Sequence, residues 1–148
     1  LNEKIDFNIS HSGEYVIAAI AENLRVGIDV EKHRLLDVAL FRKYFDVDEW
    51  SLIESAADSM QTFFDFWAIK ESAIKCDGRG VEVLSETHVR LKKQEHPAMP
   101  MQVSCAGELF SYRKILLDEK YSCSICSNHP FTINLTETGI GEVLKPIR

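Results

Sequence analysis

One segment constrains the fold of this chain more than any other. MQTFFDFWAIKESAIKC, Met60 to Cys76, follows Asp58-Ser59 and is closed by Asp77-Gly78. An aspartate or serine at a helix start gives its side-chain oxygen to an unpaired amide. A glycine just past the end accepts the left-handed backbone that stops a helix. These signals predict one long helix from about Met60 to Cys76, capped by Asp58 or Ser59. Strand-like sequence lies on both sides of it. Asp6 to Ile9 and Tyr15 to Ala21 read as a hairpin with Ser10-His11-Ser12 and Gly13 at its bend, and Val26 to Glu31 reads as the next strand. Leu35 to Tyr44 fits a helix, and Trp50, Leu52 and Ile53 fit a short second one. Beyond the Asp77-Gly78-Arg79-Gly80 turn come β-like runs at Thr87–Leu91, Met101–Cys105, Phe110–Leu116 and Tyr121–Cys126. The Pro97 and Pro100 loop and the Asp118-Glu119-Lys120 turn divide them, and a surface tail with Pro130 and Pro146 follows from Asn128. Strands grouped on either side of one helical block imply an α+β fold, an antiparallel sheet packed against a helical segment with one long helix.

At 148 residues and 45% hydrophobic content, the chain can bury a core as one globular unit. It has no apolar run of about 18 residues, so no membrane helix is expected. LNEKIDFN lacks the pattern of a signal peptide. It also lacks an initiator Met, which leaves room for a segment upstream of Leu1. Cys76, Cys105, Cys123 and Cys126 then read as reduced, buried thiols of a cytoplasmic protein. Cys123, Cys126 and His129 have a superficial metal spacing, but a strand sends positions i and i+3 to opposite faces, which disfavours zinc. With 17 basic against 23 acidic residues the net charge is −6, which disfavours a nucleic-acid partner.

Three stretches could carry chemistry. In the long helix, Phe63, Trp67, Glu71 and Lys75 fall on one stripe that begins aromatic and ends charged. A surface Glu–Lys pair beside an aromatic core contact would give the same pattern. In the strand Val26–Glu31, Asp29 and Glu31 share a face opposite Val26, Ile28 and Val30. Two such acids are ordinarily a solvated face, and with a third carboxylate they suit Mg²⁺. Phe7-Asn8-Ile9-Ser10-His11-Ser12-Gly13 is either a polar hairpin turn or a phosphate site built from hydroxyls, turn amides and a cationic imidazole.

In this order, Ser10-His11-Ser12, then Gly27-Ile28-Asp29-Val30-Glu31, then Trp67 through Lys70-Glu71 to Lys75 resemble the signature set of the 4′-phosphopantetheinyl transferases of the surfactin-synthetase-activating class. The resemblance covers nearly the whole chain. It implies transfer of the 4′-phosphopantetheine arm of coenzyme A to a serine of an acyl or peptidyl carrier protein, with release of 3′,5′-ADP. It further implies Mg²⁺, or Mn²⁺, on Asp29, Glu31 and Glu71, with Glu71 as general base. Lys75 would contact the phosphates with Lys70 nearby, and Ser10 and His11 would bind a phosphate from the hairpin side. Members of this class are built from two similar half-domains. On that pattern residues 1–25 are the remnant of an N-terminal half, 26–127 the C-terminal transferase half and 128–148 a tail. The missing half, or self-association, would complete the cleft. A carrier is acidic around its modified serine, so the basic stretch Lys32 to Lys43, with Leu36 and Phe41, is a candidate docking face. Two other readings stand beside the transferase: a non-catalytic half-domain that binds a carrier or coenzyme A, and a metal-dependent phosphohydrolase using the same acids.

Overall fold

The computed structural model describes residues 4–91 and 101–137. Strands β1 (Ile5–Ser12) and β2 (Tyr15–Glu22) form a two-stranded antiparallel hairpin. Strands β3 (Val26–Lys32), β4 (Thr87–Val89), β5 (Met101–Cys105), β6 (Glu108–Lys114) and β7 (Tyr121–Ser127) form one antiparallel sheet in the order β3-β7-β6-β5-β4. Between β3 and β4 run a 3₁₀ segment (Val38–Tyr44) and helices α1 (Val47–Ser55) and α2 (Ser59–Asp77). The fold is α+β, with an antiparallel sheet against one long helix.

The ends of α2 are set by local chemistry. Asp58 accepts a hydrogen bond from the Gln61 amide, and Gly78 at φ 89° closes the helix with its amide on the Ile74 carbonyl. Helix α1 starts with a reciprocal box, in which Asp46 accepts from the Glu49 amide and Glu49 from the Asp46 amide.

Two cores flank β3. On one side α2 packs Phe63, Phe64, Ile69, Ala73 and Ile74 against Val103, Phe110 and Cys126. On the other, Val26, Ile28 and Val30 meet Ala19, Ile115, Tyr121 and Cys123. The alternation read from the sequence of β3 therefore holds, but both of its faces are covered. Cys123 and Cys126 fall into different cores, and all four cysteines are free and buried.

The hairpin joins this sheet without main-chain pairing. Val26, Ile28, Val30 and Lys32 present their amides at the free edge of β3, and Asp6 Oδ2, Asn8 Oδ1, Ser10 Oγ and Ser12 Oγ accept from them in turn at 2.9, 3.0, 3.2 and 2.9 Å. Side-chain oxygens thus stand where a neighbouring strand would place carbonyls, and the edge is satisfied. The alternate positions Ile5, Phe7 and Ile9, with Val16 and Ile20 of β2, form an exposed apolar outer face.

Several expectations change. Ser10-His11-Ser12 lies within β1 and the bend is Gly13-Glu14, because the two serines belong to the row of acceptors that holds the β3 edge. The segment from Leu35 is irregular until Val38 and then 3₁₀; Leu35 is fully exposed and gives a helix nothing to pack on. Leu116, expected at the end of a strand, lies beyond β6 and is exposed. The Pro97 and Pro100 loop, Pro146 and the tail from residue 138 lie outside the described residues.

Candidate active site

A glycine sets how closely α2 approaches β3. A Cβ on Gly27 would lie 2.1 Å from the Ser72 carbonyl oxygen and 2.4 Å from the Cys76 amide nitrogen, so any side chain would push helix and strand apart. With the helix seated there, Glu71 and Lys75 come over the face of β3 that carries Asp29 and Glu31.

Asp29 is buried. Its Oδ1 accepts from Lys75 Nζ at 2.7 Å and from Ser10 Oγ at 3.1 Å. Lys75 Nζ also donates to Ser10 Oγ and the Ile28 carbonyl, both at 3.2 Å, so its three hydrogens have three acceptors. Asp29 Oδ2 is buried and has no hydrogen-bond partner among the described residues. Two residues along, Glu31 Oε2 accepts from Arg34 Nη1 at 2.9 Å. Asp29, Glu31 and Glu71 then form the acidic wall of a cavity of about 310 Å³. Leu36, Phe41, Phe63, Phe64 and Trp67 make its apolar wall, and Phe63 and Trp67 stack with ring centroids 5.8 Å apart.

Burial dominates the electrostatics. It raises the Asp29 carboxyl above the usual carboxylate range, opposed by the Lys75 ammonium and reinforced by Glu31. Burial likewise raises Glu71, with repulsion from Asp29 next, and Lys75 opposes. Asp29, Glu31 and Glu71 line one cavity, and Asp29 Oδ2 is buried without a partner. Carboxylate oxygens are the ligand type a hard divalent cation such as Mg²⁺ takes. These three are not gathered within 4.8 Å of one another, so the side chains would have to draw in to share an ion.

The structure thus brings Ser10, Asp29, Glu31, Glu71 and Lys75 together. His11 falls on the exposed face of β1, one position out of phase with Ser10 and Ser12. Lys70 is directed elsewhere. It is fully buried, paired with Glu49 Oε2 at 2.9 Å, and donates to the Thr87 carbonyl. Lying one residue before Glu71 turns it about 100° around the helix, toward α1 and β4. Burial lowers its ammonium pKa, against the pull of Glu49.

Sequence reasoning missed Glu49, whose signal was the Asp46-x-x-Glu49 start of α1. It also missed Arg34 as a neighbour of Glu31, and the alternating acceptors Asp6, Asn8, Ser10 and Ser12. In the docking stretch Arg42 is engaged, donating to the Phe45 carbonyl and lying over the Trp50 ring, whereas Lys43 is exposed. Asp46, Glu49 and His88 also lie close together, but Lys70 and the amides of Asp46 and Val89 hold the Glu49 carboxylate.

Residues 25–126 match the 4′-phosphopantetheinyl transferase superfamily. The chain is 35% identical over 136 residues to the 4′-phosphopantetheinyl transferase gsp of Aneurinibacillus migulanus, an alignment covering 90% of this chain and 56% of that protein. It is 32% identical over 127 residues to a 4′-phosphopantetheinyl transferase of Bacillus subtilis, covering 84% and 55%. It is 30% identical over 142 residues to the 4′-phosphopantetheinyl transferase Sfp of Bacillus subtilis strain 168, covering 93% and 62%. The chain spans little more than half the length of these curated relatives.

Proposed function

The chain belongs to the 4′-phosphopantetheinyl transferase superfamily, and on that premise we propose that it transfers the 4′-phosphopantetheine arm of coenzyme A to a serine of an acyl or peptidyl carrier protein. The observation that carries this reading is the meeting of Asp29, Glu31 and Glu71 at one cavity, with a buried Asp29 oxygen left without a partner.

In the reaction the serine oxygen forms a bond to the β-phosphorus of coenzyme A. The bond from that phosphorus to the bridging oxygen breaks, and 3′,5′-ADP departs. Asp29, Glu31 and Glu71 would hold Mg²⁺ or Mn²⁺. When bound, such an ion supplies Lewis acidity to the pyrophosphate as charge builds on the leaving oxygen. Glu71 accepts the serine proton, and a raised carboxylate pKa brings its basicity closer to neutral pH. Lys75 favours the ionised form of Asp29 against the effect of burial and adds positive charge beside the phosphates. Ser10 serves by holding Asp29 and Lys75, since its oxygen is already bonded to both. His11 keeps its expected part as a phosphate ligand only toward the outer side of the hairpin, since it faces away from Asp29 and Lys75.

Residues 26–127 would form one half of the active unit, and the hairpin within 1–25 the remnant of the other. The exposed apolar outer face of the hairpin supports this division. No helix among the described residues is long and apolar enough to cross a membrane, and the reading puts the chain with its carrier in the cytoplasm.

The test is incubation with coenzyme A, Mg²⁺ and an apo-carrier protein, with the carrier weighed by mass spectrometry and Glu71→Gln as control. A phosphopantetheine mass gain, cut by about 10²–10⁴ in rate in the variant, is the expected result. No gain with this chain or with one extended upstream of Leu1 would overturn the transferase reading in favour of a binding module. Consumption of coenzyme A without carrier would favour a phosphohydrolase.

A further inference from the structure

The acidic wall already carries two of the chain's own cations, and they are held very differently. Lys75 is locked by three acceptors on β1 and β3. Arg34 pairs with Glu31 at 2.9 Å while its side chain is 60% exposed. Its Nη1 also reaches the Lys32 carbonyl at 3.3 Å, and its guanidinium lies 5.4 Å from the centre of the buried Phe64 ring. With the guanidinium largely in solvent and only the Glu31 side chain, at 19% exposure, partly covered, this i,i+3 pair is weak and readily exchanged. The Phe64 face gives the guanidinium a resting place that does not depend on Glu31.

We propose that Arg34 is a resident counter-ion of this site: it occupies Glu31 until a divalent cation takes that carboxylate, and the exchange frees its guanidinium for an anionic group of the substrates. The proposal rests on the reading that Asp29, Glu31 and Glu71 hold such a cation. Its basis is charge. Asp29, Glu31 and Glu71 face Lys75 and Arg34, which leaves one negative charge uncompensated. A dication seated on Glu31 would stand against a guanidinium on the same carboxylate. Moving Arg34 off Glu31 removes that repulsion. The planar fork that bound a carboxylate then suits a phosphate oxygen pair equally well.

The test titrates Mn²⁺ against the whole chain, without coenzyme A or carrier, and follows free Mn²⁺ by electron paramagnetic resonance. Wild type, Arg34→Gln, Glu31→Gln and the double variant are compared, with circular dichroism as the check on folding. Arg34→Gln is expected to tighten Mn²⁺ binding by about two- to fivefold, the range a weak ion pair can supply. In the Glu31→Gln background the same change should do nothing, because the pair it breaks is already gone. Unchanged or weaker binding by Arg34→Gln overturns the proposal, and so does equal tightening in the Glu31→Gln background, which would make Arg34 only a distant charge. If folded wild type binds no Mn²⁺, the metal-site reading falls and the proposal falls with it.

Discussion

Lys70 Nζ lies 2.9 Å from Glu49 Oε2, and neither side chain is exposed to solvent. The pair fastens α2 to the start of α1, and through the Thr87 carbonyl and Val89 amide it reaches β4. Removing one partner leaves the other charged in a dry site, which typically costs about 3–5 kcal/mol. Lys70→Met should therefore lower stability by that order in urea unfolding. A loss under about 1 kcal/mol would mean that water reaches Glu49.

Neighbouring residues of the hairpin motif should separate cleanly in mutagenesis. Ser10→Ala strips partners from the Val30 amide, Asp29 and Lys75, and should cost about 1–3 kcal/mol. His11→Ala, on the exposed face of β1, should change stability by no more than about 0.5 kcal/mol. The His11 change should instead raise the KM for coenzyme A. Equal destabilisation by the two would contradict the placement of His11.

The pH dependence of stability follows from Glu71. Its folded pKa is raised, chiefly by burial and then by Asp29. The folded state thus holds the proton more tightly than the unfolded chain, and that stabilising term is full below the usual glutamate range. It is lost as pH rises through the folded pKa. Metal-free Glu71→Gln should accordingly be more stable than wild type at neutral pH, and the difference should vanish as pH falls to the usual glutamate range. Urea melts in EDTA at a series of pH values measure this; a variant less stable than wild type at pH 7 would refute it.

Lys43 and Arg42 should part ways in the docking stretch. Lys43→Glu is expected to raise the KM for carrier several-fold while sparing the KM for coenzyme A. Arg42→Glu should lower stability as well, because it gives up the Phe45 carbonyl and the Trp50 ring. Steady-state kinetics with the carrier varied, alongside thermal melts, distinguish them.

What the sequence disclosed depended on the range of the signal. The limits of α2 were legible because Asp58 and Gly78 act on their own helix turns. Asp29 and Glu31 were legible as a pair because a strand alternates strictly. Lys70 was misplaced beside Lys75, although a five-residue step and the rotation of a helix put the two on different faces. The serines at positions 10 and 12 looked like turn formers since that is their local preference. Their actual partners are amides 20 residues away, and no local reading contains that pairing.

The row of acceptors on β1 also works as a registration mark. A slip of one residue between hairpin and sheet would offer Ile5, Phe7 and Ile9 to amides that need oxygen. A slip of two would keep the chemistry for part of the row but carry Ser10 away from Asp29 and Lys75. Only one alignment satisfies both the edge and the acidic wall, so the chain proofreads the seating of its hairpin with the residues that hold the site.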